Sequence, residues 1–491
     1  MTWSRRNFLT TGAAATAGGA VLGGIAPGAA SARAATDAGA RPGSGGATGW
    51  RRAAEITRRV RPPRFPARRF ALTDFGAVGD GTTDCTEAFR RAIAACHDAG
   101  GGHVDVPAGT FLTGAIHLRS GVDLHVGEGA TVLFSTDPAA YLPAVYTRFS
   151  SIECYNYSPF IYAYGQENIA VTGSGTLDGQ GGTEHWWPWV GNSDFGWKPG
   201  DPEESADWAA LQDMADRGVP VKQRVFGAGH YLRPNFLQFY RCRSVLVEGV
   251  TVVRSPMWQI HPVLSTNVTV RDVHVDSRGP NNDGCDPESC SGVVIRRCVF
   301  DAGDDSIAIK AGRGADGRRV NVPCEDVLIE DCDMRIRYGA VAIGSDTTGG
   351  IRNVFVRRCT MGSPNLYFGL YIKTNSVRGG FVENVYLRDI HISSLLKETI
   401  SIDLYHGDGD TGSYPPLVRN VEIRDLMCDT SRAPLFIRGY PDDPLHDIRL
   451  VNCTFTNVSR DSTISDIDGL TFDRVTVAGE PVTTPPVIGS T

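Results

Sequence analysis

The chain lacks the signatures of several common protein classes. Nothing in its 491 residues spaces cysteine and histidine as a zinc site would. The Leu-spaced consensus of a leucine-rich repeat is missing. An excess of basic charge is missing too: 48 Lys and Arg against 55 Asp and Glu leave a net charge of −7. The one arginine-dense stretch, Arg51 to Arg69, therefore reads as a solvated lead-in and not as a nucleic-acid contact. The apolar run ending near Ala30 is glycine-rich and weakly hydrophobic, which argues against stable membrane anchoring. Between Phe70 and Val477 no linker-like stretch appears, so a second domain is not expected.

At the N terminus, Ser4-Arg5-Arg6-Asn7-Phe8-Leu9 precedes that run, and Ala30-Ser31-Ala32 and Ala32-Arg33-Ala34 offer small-residue cleavage sites. The pattern resembles a twin-arginine export signal over residues 1–35 and predicts a secreted protein. Residues 36–69 then read as linker and Arg/Pro-rich lead-in, 70–480 as a single domain, and 481–491 as a tail.

From residue 244 onward a short phrase of alternating apolar and polar residues recurs, beginning at Val245, Val268, Val293, Val327, Val354, Val385, Val421, Ile448 and Leu470. Period-two alternation predicts strands with one buried and one wet face. Steps of 22 to 36 residues are too short for a strand, a crossover helix and a return. They fit successive coils of a parallel β-solenoid, an all-β fold whose core grows along one axis. Solenoid ends need caps, and Thr83 to His97, with Phe89, Ala92, Ile93 and Cys96 at helical spacing, supplies an N-terminal capping helix. Cys298, Cys332, Cys359 and Cys453 close the phrase at one point of the coil, which predicts a buried ladder; disulfides are the alternative in an exported protein, and Cys285 and Cys290 are near enough in sequence to bridge.

One pair of neighbouring phrases carries acids. Asp283 lies in Asn281-Asn282-Asp283-Gly284-Cys285-Asp286, and Asp304 and Asp305 lie in Gly303-Asp304-Asp305-Ser306, 21 residues on from Asp283. A coil of that period stacks the two segments about 4.8 Å apart. Glycosidic hydrolysis uses such a constellation, with one acid for the leaving oxygen and carboxylates to activate water. Crowding raises some of the pKa values and keeps one carboxyl protonated near neutrality. The plainer alternative is that these residues end turns or bind calcium.

Three longer stretches, Ser255 to Val263 (SPMWQIHPV), Pro280 to Ser289 (PNNDGCDPES) and Gly303 to Gly312 (GDDSIAIKAG), together resemble glycoside hydrolase family 28, the polygalacturonases and their relatives. Asp74 to Gly81 and Val106 to Thr110 resemble the opening of pectinase-type β-helices. The resemblance implies a right-handed parallel β-helix, inverting hydrolysis of galacturonosyl linkages in pectic polysaccharides or oligosaccharides, and no metal or organic cofactor. Residue by residue it makes Asp304 the general acid, and Asp283 and Asp305 the carboxylates that hold and deprotonate water. It also exposes two departures. Tyr338, in Arg337-Tyr338-Gly339, stands where the family carries a histidine, and Tyr371, in Tyr371-Ile372-Lys373, stands where it carries an arginine. Lys373 remains to meet a uronate carboxylate, without the guanidinium fork.

These departures shift the expectation from an ordinary endo-polygalacturonase toward an exo-acting or rhamnogalacturonan-directed enzyme. A pectate lyase-like solenoid, or a non-catalytic carbohydrate-binding one, would share the same coil. His261, Arg378 and Tyr405 with His406 are expected to line the groove, Arg378 in place of the missing guanidinium. The insertion from Thr183 to Arg233, with Trp186, Trp187, Trp189, Trp197 and Trp208, is expected to stack on sugar or to close one groove end.

Overall fold

The computed structural model describes residues 45–483; the export motif, the start of the lead-in and most of the tail lie outside them. The alternating phrases become the rungs of a parallel β-helix. Val245 pairs with Val268, Val268 with Val293, Val293 with Val327, and Val327 with Val354. The column continues through Val385, Val421, Ile448 and Leu470 without a register shift. All these side chains but Leu470, which is half-buried, are buried, because period-two alternation turns them inward in every coil.

The cysteines follow the same logic. All 12 are buried and free, so Cys285 and Cys290 do not bridge. In the ladder, Cys359, Ile390, Leu426 and Cys453 occupy one register column, and Asp333 and Thr360 donate their N–H groups to the carbonyls of Cys298 and Cys332 one coil earlier. A cysteine there behaves as a small hydrophobe that fits a crowded interior.

The first helix, α1 (Gly45–Arg59), corrects the reading of a solvated lead-in. Its Ala53 and Ile56, with Trp50 and Val60, pack on Val294, Leu328, Phe355 and Tyr386. Those four face outward in consecutive coils, where alternation alone would leave them wet. Arg52 and Arg59 both pair with the buried Asp326, which fixes the helix against the sheet. The second helix, α2 (Thr86–Asp98), is the expected cap: Ala88, Phe89, Ala92, Ile93 and Cys96 are buried against the first coils.

A second wall matters most for function. Leu237 pairs with Ile260, Ile260 bridges to Cys285, Cys285 to Ile307, and Ile307 pairs with Val341. From there the column runs through Leu370, Ile400 and Leu435. Asp283 and Asp305 each precede a member of this column by two residues, so they stand at one level of successive coils.

Candidate active site

Backbone pairing sets the acids. The Gly284 N–H donates to the carbonyl of Asp305 at 3.0 Å, and the Gln259 N–H donates to the carbonyl of Asp283 at 3.0 Å. Asp283, Asp304 and Asp305 each offer an oxygen, all within 4.8 Å of one another. Asp283 and Asp305 are 4% and 1% exposed, whereas Asp304 is half-buried and faces the opening. They line a cleft of about 170 Å³ with Ser150, Met257, Trp258, Lys310, Arg313, Asp346 and Lys373 among its walls.

The three carboxyls are not equivalent. Asp305 has both oxygens engaged: Lys373 Nζ donates to Oδ2 at 2.6 Å and the Gly339 N–H donates to Oδ1 at 2.7 Å. Asp283 Oδ2 meets Lys310 Nζ at 3.3 Å, and the same ammonium lies 3.2 Å from the buried Asp286. Burial and the charges of Asp283 and Asp305 raise the Asp304 carboxyl well above the ordinary range. Burial also raises Asp283, but Lys310 and Lys373 oppose that shift. Lys310 and Lys373 stand beside these acids and oppose a divalent cation there, although the three acids have the spacing of a metal site. A protonated, half-exposed acid beside buried carboxylates can give a proton to a leaving oxygen while water is held behind it.

Several residues expected in the groove are placed elsewhere. His261 is fully buried: its Nε2 meets Glu288 Oε2 at 2.9 Å, and its Nδ1 faces Asn235 and Gln238 at 3.2 and 3.1 Å. Burial lowers its pKa, and it serves the site only by packing edge-on behind Trp258. The Glu288 carboxyl is buried as well, but Arg148 and His261 outweigh burial and bring it to about 2. Position 339 approaches Asp305 closely, since a Cβ on Gly339 would lie 3.0 Å from Asp305 Oδ1. Tyr338 packs edge-on against Tyr367. Tyr371 is buried, stacked on Phe368, with its hydroxyl 3.1 Å from His406 Nδ1. Tyr405 packs on Tyr440 under the Arg438 guanidinium, outside the cleft wall. Arg378 is nearly buried and paired with Asp408 and Asp346. Lys373 is the one expected sugar contact that lies in the cleft, and there it pairs with Asp305.

Sequence reasoning missed Trp258, Lys310, Arg313 and Asp346. Trp258 and Lys310 sit inside the motifs quoted for the resemblance; Arg313 follows the last of them by one residue. Their spacing gives no sign of which way each side chain points.

The insertion forms a pillar beside the cleft. Its helix α3 (Ser205–Asp216) contributes Leu211 and Ala215 to a small core with Phe149, Ile152, Phe226, Met257 and Trp258. Phe149 and Ile152 belong to an antiparallel hairpin, Val145–Phe149 with Ile152–Asn156, whose turn brings Ser150 to the cleft. Buried ion pairs lock these parts together. Arg224 meets Asp316 at 2.7 Å; Arg148 meets Glu288 at 2.6 Å; Arg319, of the short helix α4 (Gly314–Val320), meets Glu153 and Asp316. Arg233 joins Glu204 to Asn281 Oδ1, two residues from Asp283. Of the five insertion tryptophans, Trp186 is buried in the main core, Trp187 donates to the Ser255 carbonyl and Trp197 to the Asp201 carbonyl. Trp189 packs on Tyr231, and Trp208 packs on Phe149 beneath Arg313. None of the five lines the cleft directly.

Comparison with known proteins agrees with this geometry. Residues 227–467 match the family model described as Glycosyl hydrolases family 28, and residues 70–141 match one described as Rhamnogalacturonase A/epimerase, pectate lyase-like. The crystal structure of an exopolygalacturonase from Thermotoga maritima is 47% identical, with a TM-score of 0.86, covering 88% of this chain and 97% of that one. A probable polygalacturonase from Vitis vinifera is 28% identical over 424 residues, 82% of this chain and 78% of the relative. An exo-poly-alpha-D-galacturonosidase from Dickeya chrysanthemi is 28% identical over 441 residues, 82% of this chain and 70% of the relative.

Proposed function

The chain belongs to glycoside hydrolase family 28 and is polygalacturonase-like, and from that premise we propose that it removes galacturonosyl units from the ends of pectic chains by inverting hydrolysis. The observation that carries the reading is the pillar, whose α3 shares a small core with Met257, Trp258 and the hairpin that presents Ser150, all three of them on the wall of the cleft that holds the acids. A cleft closed on that side would take a chain terminus and exclude a through-running polymer. The names of the Thermotoga and Dickeya relatives support the same cleavage mode.

Asp304 gives its proton to the glycosidic oxygen. Asp283 and Asp305 hold the attacking water, and Asp283 takes the water's proton because both oxygens of Asp305 are already engaged. The spacing of the acids, within 4.8 Å, is shorter than the roughly 6.5–9.5 Å typical of inversion. That observation favours a second reading, retention through a carboxylate nucleophile. The anomeric form of the first-released sugar, followed by NMR, separates them: inversion gives the configuration opposite to that of the bond cleaved.

The leaving-group sugar is open to a different assignment as well. With Tyr371 buried and Lys373 held by Asp305, no free cation of that segment meets a uronate there, which suits a neutral neighbour such as rhamnose. A panel of polygalacturonate, rhamnogalacturonan and defined oligomers, assayed for reducing ends and product size with and without a chelator, tests the whole proposal. The expected result is monomer from polygalacturonate at the earliest times, with undiminished rate in chelator. Early long oligomers contradict terminal attack; unsaturated products dependent on calcium contradict hydrolysis; faster cleavage of rhamnogalacturonan transfers the assignment to the neutral-sugar reading.

A further inference from the structure

Among the described residues, the cleft wall contains one cation that no carboxylate hydrogen-bonds, its ion pair to Asp346 being a long one. Lys310 is shared between Asp283 and Asp286, and Lys373 is bound to Asp305. Arg378 meets Asp408 at 3.1 Å and Asp346 at 3.4 Å. Arg313 differs. Its nearest carboxylate among the described residues is Asp346, whose Oδ1 stands 3.7 Å from Nη1, beyond hydrogen-bond reach. The guanidinium lies over the Trp208 ring, 4.8 Å from the centroid, and lines the cleft. Burial and the like charge of Arg378 lower its pKa to about 10, against the opposing pull of Asp346, Asp408 and Asp216.

Asp346 is the second observation. It is 4% exposed and lines the same cleft, yet its Oδ1 accepts no hydrogen bond although two guanidinium groups flank it. A buried carboxylate oxygen left without a donor is costly, and a bound hydroxyl would satisfy it. A donor-rich fork and an acceptor side by side match a molecule that carries a carboxylate and hydroxyls on one ring. Their place is also informative. Arg313 precedes α4, which packs on α3, and α3 carries Trp208, so the pair stands where the pillar meets the cleft.

We propose that Arg313 and Asp346 form the subsite for the terminal uronosyl unit, the one released: the Arg313 fork takes its carboxylate and Asp346 accepts from one of its hydroxyls. The inference rests on the terminal-attack reading given above and adds the group that makes it acid-specific. Arg313 thus serves the released unit, a different position from the leaving-group side where the guanidinium beside Lys373 was expected.

Aryl glycosides test it, because their only sugar is the unit in question. Rates are compared for an aryl galacturonide and the aryl galactoside of the same anomeric form, which lacks the carboxylate, using the wild type and Arg313→Met. A charge-assisted pair of this kind is worth about 10- to 100-fold. The wild type should favour the galacturonide by about that factor, and in Arg313→Met the galacturonide-to-galactoside rate ratio should fall to about 1. Arg313→Lys, which keeps charge without the fork, should recover only part of it. Equal loss on both substrates, or a preference that survives in Arg313→Met, overturns the subsite. A wild type that releases no monomer from polygalacturonate overturns the underlying reading instead, so the two failures are distinguishable.

Discussion

Asp304→Asn should lower kcat by about 10²- to 10⁴-fold, the usual range for a positioned general acid, with KM changed little. Asn keeps the shape of the carboxyl but gives up no proton to the leaving oxygen. The pH profile should change in a definite direction. Because Asp304 is raised above the ordinary range by burial and by Asp283 and Asp305, the wild-type rate falls as pH rises through that pKa. The variant's residual rate should lack that alkaline limb. Stability should move the other way. A carboxyl with a raised folded-state pKa contributes stability that is complete below its unfolded pKa and is lost as pH rises through the folded one. At neutral pH the wild type has lost some or all of that contribution, whereas Asn has no charge to bury. The variant should therefore melt higher than the wild type at pH 7, by calorimetry, while being nearly inert. A lower melting temperature with a parallel loss of substrate binding would instead make Asp304 a structural residue.

Lys373→Met carries the second large effect. The Lys373 ammonium and Asp305 carboxylate are 12% and 1% exposed and 2.6 Å apart. Removing one partner of a buried pair costs about 3–5 kcal/mol, because the other charge is left without compensation. Denaturant unfolding should show that loss at neutral pH. Lys373 also opposes the upward shift of Asp283. Without it Asp283 takes up a proton at higher pH, so the acidic limb of kcat/KM should move upward. An unchanged acidic limb together with unchanged stability would show that Lys373 is a solvated sugar contact and not the counter-ion of the base.

How much of this was legible in the sequence depended on whether a signal repeated. The nine phrases beginning at Val245 predicted nine in-register rungs, because a buried face every second residue leaves no other register. The acids followed from the same period: once Cys285 and Ile307 face inward in consecutive coils, Asp283 and Asp305 must share a level. Helix α1 was obscured by its Gly- and Arg-rich composition, although Trp50, Ala53, Ile56 and Val60 recur at helical spacing. The matching signal, apolar Val294, Leu328, Phe355 and Tyr386 on the wet face, lay more than 230 residues downstream. Arg378 carried the right chemistry, but its partner Asp408 comes from a loop whose approach no local pattern encodes. Arg313 had no signal beyond its place after a motif; only the pillar, a tertiary feature, gives it a role.

The central claim is that the stacked acids, with the pillar beside them, act on one terminal linkage. A crystal structure of Asp304→Asn with a galacturonate trimer tests it directly. The account predicts the terminal ring against Arg313, the first glycosidic oxygen within about 2.6–3.2 Å of the side chain at position 304, and one water between Asp283 and Asp305. A trimer that runs past Ser150 and Trp208, or one whose linkage lies beyond the reach of position 304, would contradict it.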